Sequence, residues 1–326
     1  MIDIKILQKL PINSGDYLIL PNEERPTFII PITSKWAYKK AISLIKPKDS
    51  LGNLKKSLLA QTPIALLKFF FTIVRIETSI NNSGSGQLIL PWNQDPNSKF
   101  TIFNYNRKHI TLFKFGYGNA GDLINNEYKC IELVSKMNAK IIPEVKLFKR
   151  NPDYSVMETK FYKGNHPSSL PRAIREFFEL CYKTADRKPF KEHPYIVRIK
   201  KVLLDVLDNR TDKALKDRIL TFTKRFGKEL IPVVIMHGDC SMTNIIETND
   251  ECWLIDWEEG IMDGVPLDVG YFDFRIKIDR GGTWEINSSV DFLVVMHYLY
   301  FQIKHGNESS LDKIEWKDKT VRVKTV

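Results

Sequence analysis

Asp239, Asn244 and Asp256 are the residues of this chain whose types and spacing suggest chemistry. All three offer hard oxygen atoms, which suit Mg²⁺ held against phosphates better than zinc. A positioned carboxylate can also take a proton. They sit in the stretch from Val234 to Gly270, VIMHGDCSMTNIIETNDECWLIDWEEGIMDGVPLDVG. An apolar run delivers His237, Gly238 and Asp239 into a polar loop. Asn244 follows, then Ile245 and Ile246, and a hairpin returns through Cys252 to Ile255 before Asp256. Polar residues at the ends of short strands can be held rigidly. Cys240 lies beside Asp239, but no independent feature gives it an activating base, so it reads as an inert neighbour.

The elements that must position these residues change character along the chain. Tyr17 to Pro21 and Thr27 to Ile32 read as short strands. Ser34 to Lys56 carries seven lysines (35, 39, 40, 46, 48, 55 and 56) and reads as a solvated helical face, with phosphate or anionic headgroup binding as the other reading. Pro63 to Ile76 is apolar but too short to span a bilayer. It reads as a buried element or a membrane-surface contact. After a turn at Asn81 to Gly86 come three strand-like runs, at 87–91, 100–104 and 110–116. A helix over 120–137 and two further strands, 140–149 and 154–161, follow. Helical spacing dominates thereafter, over 169–184, 195–207, 212–226 and 290–304. Short apolar strands are expected at 231–236 and 251–256.

With 49 Lys+Arg against 39 Asp+Glu, the net charge is +10. Aromatic residues are sparse among the N-terminal lysines, so a nucleic-acid surface gets little support, and no nucleic-acid partner is expected. The four cysteines are spread singly, with no Cys-x-x-Cys pair to hold a metal. No transmembrane segment or secretory leader is read. The expectation is a cytoplasmic protein, with peripheral contact at a membrane left open.

His237-Gly238-Asp239, Asn244 five residues on, and Ile255-Asp256-Trp257-Glu258 together resemble the catalytic loop and metal segment of the aminoglycoside phosphotransferase and choline kinase group. The related protein-kinase pattern is His-Arg-Asp-x4-Asn followed by Asp-Phe-Gly. The resemblance covers about residues 85 to 275. It implies an α+β, bilobal protein-kinase-like fold with an antiparallel-sheet N-lobe and a mainly helical C-lobe. The domains expected are an N-terminal extension or cap (1–78), a kinase-like N-lobe (79–160) and a helical C-lobe (161–326).

The resemblance also implies roles. Asp239 is the catalytic aspartate that orients the acceptor hydroxyl and takes its proton; Asn244 and Asp256 hold Mg²⁺ against the phosphates of ATP. His237 supports the loop, Glu258 is a further candidate contact, and Asp268 anchors the loop or caps a helix. Lys114 matches the lysine that pairs with the α/β-phosphates. Glu127 is its helix partner, with Glu132 the alternative. Glu158, Thr159 and Lys160 match the segment whose backbone meets adenine. The glycine-rich loop of protein kinases is missing. The corresponding turn, Trp92 to Lys99, has no glycine, and Asn97 and Ser98 are the candidate phosphate contacts.

The activity implied is phosphoryl transfer from ATP to a hydroxyl of a small molecule. Gly238 and the Trp257-Glu258 pair favour a small-molecule kinase over a protein kinase. The positive charge favours a sugar or a surface-polysaccharide or glycoconjugate precursor. The alternatives are an aminoglycoside or choline/amino-alcohol kinase, for which Glu258, Glu259, Asp263 and Asp273 would form an acidic patch, and a non-catalytic kinase-like binding protein. Acceptor contacts are expected from Arg172, Arg175 and Glu176 or around Tyr271 to Arg275.

Overall fold

The computed structural model describes residues 7–8, 10, 12–21, 24, 26–45, 50–78, 85–91, 99–137, 140–210 and 213–324. The chain forms two compact units. The first comprises residues 1–128 and 144–162; the second comprises 129–143 and 163–326.

The first unit is built on one eight-stranded sheet. Its strands are β1 (Gly15–Leu20), β2 (Phe28–Pro31), β3 (Ile73–Ile76), β4 (Gly86–Pro91), β5 (Lys99–Tyr105), β6 (Ile110–Tyr117), β7 (Val145–Arg150) and β8 (Tyr154–Lys160). The order is β3-β1-β2-β4-β5-β6-β8-β7. Every pairing is antiparallel. Side chains alternate between faces with period two. Tyr17, Ile19, Ile29, Ile89, Phe100 and Ile102 therefore fill one core, while Leu18, Leu20, Ile30, Leu88 and Tyr105 fill another. Burial on both faces explains the unbroken apolar run of β1.

The second core is covered by α1 (Lys35–Leu44), through Tyr38, Ala41 and Ile42. Ser34 caps this helix by accepting from the Ala37 amide. The Tyr105 hydroxyl donates to the Ala37 carbonyl at 2.7 Å, which ties helix to sheet. Two short helices follow, α2 (Ser50–Gln61) and α3 (Ile64–Phe70). The division expected at residue 78 thus falls within one sheet, because β2 pairs with β4 through Ile29 and Ile89. Pro63 to Ile76 is not uniformly buried. It splits into α3 and β3, and Leu66, Phe69 and Phe70 are exposed.

The helix α4 (Gly118–Ser135) starts directly after β6. A Cβ at Gly116 would lie 2.6 Å from the Ala120 backbone, so only glycine lets the helix begin so close to its strand.

The second unit is mainly helical, with α5 (Arg172–Thr184), α6 (Pro194–Arg210), α7 (Lys213–Phe226), α8 (Asp268–Asp279) and α9 (Ser289–Lys304). Ser288 and Asp291 form a reciprocal capping box at the start of α9. Short strands fill the gaps: β9 (Arg187–Pro189), β10 (Leu230–Pro232), β11 (Val234–Met236), β12 (Ile245–Glu247), β13 (Cys252–Leu254), β14 (Ile261–Gly264), β15 (Thr283–Glu285), β16 (Ile314–Lys317) and β17 (Thr320–Val323). The strand expected over 231–236 is two strands, because β10 pairs with β9 and β11 with β14. Pro232 has no N–H to continue the ladder. The helix α8 and the C-terminal β15–β17 sheet have no counterpart in the sequence expectations. An antiparallel-sheet unit followed by a mainly helical unit is the bilobal protein-kinase-like arrangement.

Candidate active site

In the second unit, β11 ends at Met236 and the chain enters the loop through His237 and Gly238. Gly238 has φ +80°, and a Cβ there would sit 2.3 Å from the Glu259 carbonyl oxygen. This is a left-handed position at a close approach, so glycine alone fits. Asp268, fully buried at the start of α8, accepts the backbone amides of His237 and Gly238, each at 3.1 Å. Burial pushes its carboxyl up to about 7, against the pull of those two amides.

Both nitrogens of His237 are committed. The Asp239 amide donates to Nδ1 at 3.2 Å, so Nε2 carries the proton and donates to the Ile255 carbonyl at 2.9 Å. The ring holds the loop shut and has no lone pair left for a substrate. The Gly238 carbonyl in turn accepts from His297 Nε2 at 2.6 Å. His297 Nδ1 accepts from the Tyr195 hydroxyl. Burial lowers His297 to about 4, which keeps it neutral and fits this tautomer.

Asp239 emerges from this frame with two unlike carboxylate oxygens. Oδ2 accepts from Asn244 Nδ2 at 2.8 Å. The same nitrogen reaches the Asp239 carbonyl oxygen at 2.8 Å. Oδ1 is buried and has no hydrogen-bond partner, although the side chain as a whole is 24% exposed. Arg275 Nη1 stands 3.8 Å away, beyond hydrogen-bond reach. Burial pushes Asp239 up to about 6; the Arg275 charge and the Asn244 hydrogen bond pull against it. The result is a carboxylate poised near neutral pH with one lone-pair-bearing oxygen to spare.

Asn244 and Asp256 meet at the open end of the β12–β13 hairpin. Ile245 pairs with Leu254, and the Ile255 amide donates to the Asn244 carbonyl at 2.8 Å. Asp256 has φ 65° and ψ 55°, a left-handed conformation that a non-glycine residue adopts at a cost and that clusters at functional sites. Asn244 spends its NH₂ on Asp239, which leaves Oδ1 as its remaining acceptor. Among the described residues no cluster of three or more His, Cys, Asp or Glu could hold a metal ion. An Asp and an Asn still fit Mg²⁺, which takes one or two protein oxygens and completes its shell from phosphate and water.

Glu259 is set apart from this pair. Burial raises its carboxyl, but hydrogen bonds and charge from His305 and Lys304 outweigh that and hold it at about 2. Of the other acids expected to form a patch, Asp263 lies 3.4 Å from Arg198 and Asp273 lies 3.9 Å from Arg175. Cys240 is fully buried, and burial raises its thiol well above the ordinary value, as an inert neighbour requires.

In the first unit, Lys114 Nζ donates to both carboxylate oxygens of Glu127, each at 2.7 Å. The lysine is 8% exposed and the glutamate 2%. Glu132, the alternative partner, is exposed. Glu158 and Lys160 lie in β8, opposite Phe113 and Thr111 of β6. The Lys160 amide already donates to the Glu144 carbonyl at 3.1 Å, so that donor is spent inside the sheet and is not open to adenine. Asn97 and Ser98 lie outside the described residues.

Sequence reasoning missed His297 and Tyr195 and placed Arg275 only loosely. His297 sits in the apolar run LVVMHYLY of α9, where a lone polar residue was its one signal.

No family model matches the chain, and no curated protein matches it. Solved structures similar to it include a candidate fructosamine-3-kinase of Haemophilus somnus, at 11% identity and TM-score 0.44, covering 70% of this chain and 88% of that one. The spectinomycin phosphotransferase APH(9)-Ia matches at 13% identity and TM-score 0.42, covering 68% and 80%. A thermostable mutant of the aminoglycoside phosphotransferase APH(4)-Ia matches at 14% identity and TM-score 0.43, covering 68% and 89%.

Proposed function

We propose that the protein is an ATP- and Mg²⁺-dependent phosphotransferase acting on a hydroxyl of a small molecule. The observation that carries this reading is Asp239 Oδ1, a buried carboxylate oxygen with no hydrogen-bond partner, beside a second oxygen held by Asn244. An acceptor hydroxyl would donate to Oδ1. As its oxygen attacks the γ-phosphorus, the proton passes to Asp239 and the bond to the departing ADP breaks. Asn244 Oδ1 and the Asp256 carboxylate would hold Mg²⁺, whose charge offsets that of the phosphates. Lys114, oriented by Glu127, would meet the phosphates of the nucleotide. In adenine recognition Lys160 would contribute no backbone donor, because its N–H is committed to Glu144.

The acceptor we favour is a sugar or a glycoconjugate precursor, neutral or anionic, over an aminoglycoside or choline. Arg275 is the cation beside the reactive carboxylate, which also feels the negative charges of Asp256 and Glu259. Glu259, Asp263 and Asp273 each have a cationic neighbour already. Three of the four acids expected to attract a cationic acceptor are thus compensated. Among the described residues no helix is long and apolar enough to cross a membrane.

The test is ATP consumption with mass-spectrometric detection across sugars, sugar phosphates, amino alcohols, aminoglycosides and cell-envelope extracts. A product heavier by one phosphoryl group, lost in Asp239→Asn, is expected with an uncharged or anionic acceptor. Transfer confined to aminoglycosides would overturn the substrate preference. Mg-ATP binding without transfer to any acceptor would favour a binding protein.

A further inference from the structure

The described residues of the first unit expose an apolar surface on two helices that carry no residue assigned a catalytic role. On α2, Leu51, Leu54 and Leu58 fall at i, i+3 and i+7, one stripe of the helix, and each is more than half exposed. On α3, Leu66 is exposed, and Phe69 and Phe70 are 81% and 75% exposed. These side chains point away from the core because the opposite sides of both helices are already used. Leu59, Ala60, Ile64 and Leu67 pack on the sheet, and the Leu59 carbonyl accepts from the Tyr38 hydroxyl at 2.7 Å. Lys56 Nζ donates to the Ile45 carbonyl at 2.6 Å, which fixes α2 against the end of α1. The exposure therefore belongs to a helix pair that is held in place.

The charge on these two helices has one sign: neither contains Asp or Glu, while Lys55, Lys56 and Lys68 fall within them. Arg75, just beyond, is paired with Asp16 and Glu77. Lys55 is exposed beside the leucine stripe, and Lys35 and Lys39 of α1 are exposed as well. Protein–protein interfaces favour aromatic residues but are depleted in lysine. A second copy of the chain would set the lysines of these helices against one another, and neither helix carries an acid to compensate. Short helices that expose leucine and phenylalanine with lysine beside them are what an anionic lipid surface attracts.

We propose that α2 and α3 form a peripheral docking surface for a bilayer carrying anionic lipid. Leu51, Leu54, Leu58, Leu66, Phe69 and Phe70 enter the headgroup–acyl boundary, and Lys55, with Lys35 and Lys39 of α1, meets the headgroups. Binding is reversible, since the apolar area is small and no lipid anchor is invoked. The proposal is independent of the phosphotransferase reading and would survive its failure.

The test is sedimentation of the full chain with vesicles of phosphatidylcholine alone and of phosphatidylcholine mixed with phosphatidylglycerol, at rising salt. Binding to the mixed vesicles is expected, with little to the neutral ones, and with progressive loss as salt screens the lysines. The double substitution Phe69→Ser, Phe70→Ser should weaken binding at least about tenfold. Lys55→Glu should weaken it about fivefold or more. Both should leave the melting temperature unchanged or higher, because the side chains are exposed; Leu54→Ser with Leu58→Ser provides a second apolar variant. Absence of binding to the anionic vesicles would overturn the proposal. So would binding that ignores both apolar variants. A dimer in solution that dissociates on Phe69→Ser, Phe70→Ser, without vesicle binding, would assign the surface to a second copy instead.

Discussion

His297 Nε2 donates to the Gly238 carbonyl oxygen at 2.6 Å, so a residue of α9 holds the peptide immediately before Asp239. Asp268 of α8 holds the two amides on the other side of that turn. The turn is therefore gripped by two helices through buried hydrogen bonds. A carboxylate mounted on it keeps its direction without reorganisation during the reaction, which is where much of the catalytic benefit of a rigid site lies.

That grip depends on a neutral His297. Burial holds its pKa at about 4, below the ordinary 6.5. Between those values the unfolded chain takes up a proton that the folded chain refuses. Stability from this group is present above about pH 6.5 and is lost as pH falls toward 4. His297→Gln keeps a donor for Gly238 and removes the titration. Its melting temperature should fall less steeply with acid than that of the unmodified chain, measured from pH 7 to 4.

Asp239 titrates in the useful range. Because its carboxyl is pushed up to about 6, kcat/KM should decline as pH drops through about 6 and the base becomes protonated. Arg275 favours the charged form, so Arg275→Met should move this acid limb to higher pH. Asp239→Asn should lower kcat at least about a hundredfold while leaving Mg-ATP affinity nearly unchanged. A pH–rate profile with the acid limb unmoved in Arg275→Met would contradict the electrostatic coupling.

The buried pair of Lys114 and Glu127 separates stability from activity. Lys114→Met removes the cation that neutralises a carboxylate only 2% exposed, at a cost of about 3–5 kcal/mol in unfolding experiments. Adding Glu127→Leu should restore much of that stability, since an apolar pair needs no compensation. Activity should stay at least about a hundredfold down in both, because the cation proposed to meet the phosphates is gone.

Gly238→Ala tests the close approach. The left-handed backbone alone costs about 1–2 kcal/mol for an L-residue. The added Cβ also meets the Glu259 carbonyl, so the loop must move. Activity should drop more than stability, as read by kcat beside urea unfolding.

Much of this site could be read from residue order. Asp239, Asn244 and Asp256 are local to one loop and one hairpin, and their spacing follows from backbone geometry over a few residues. Lys114 and Glu127 are 13 residues apart across a strand that runs straight into a helix. Strands such as β1 and β4 were visible as apolar runs because both of their faces are buried. The same cannot be said of Lys160, whose amide is claimed by Glu144 in a neighbouring segment.

What the amino-acid sequence determined by itself was the chemistry of short range: oxygen-bearing side chains at fixed spacing, the lysine and its glutamate, and the change from strands to helices. Tertiary structure alone decided which groups act on those residues from afar. His297 reaches Gly238 over 59 residues, and Tyr195 reaches His297 over 102. Ile29 joins Ile89 and so makes the N-terminal residues part of the same sheet. It also decided that Leu51, Leu54, Leu58, Phe69 and Phe70 face outward. Periodicity is set by local sterics, but a partner distant in sequence is chosen by how whole elements pack, and no spacing along the chain encodes that choice.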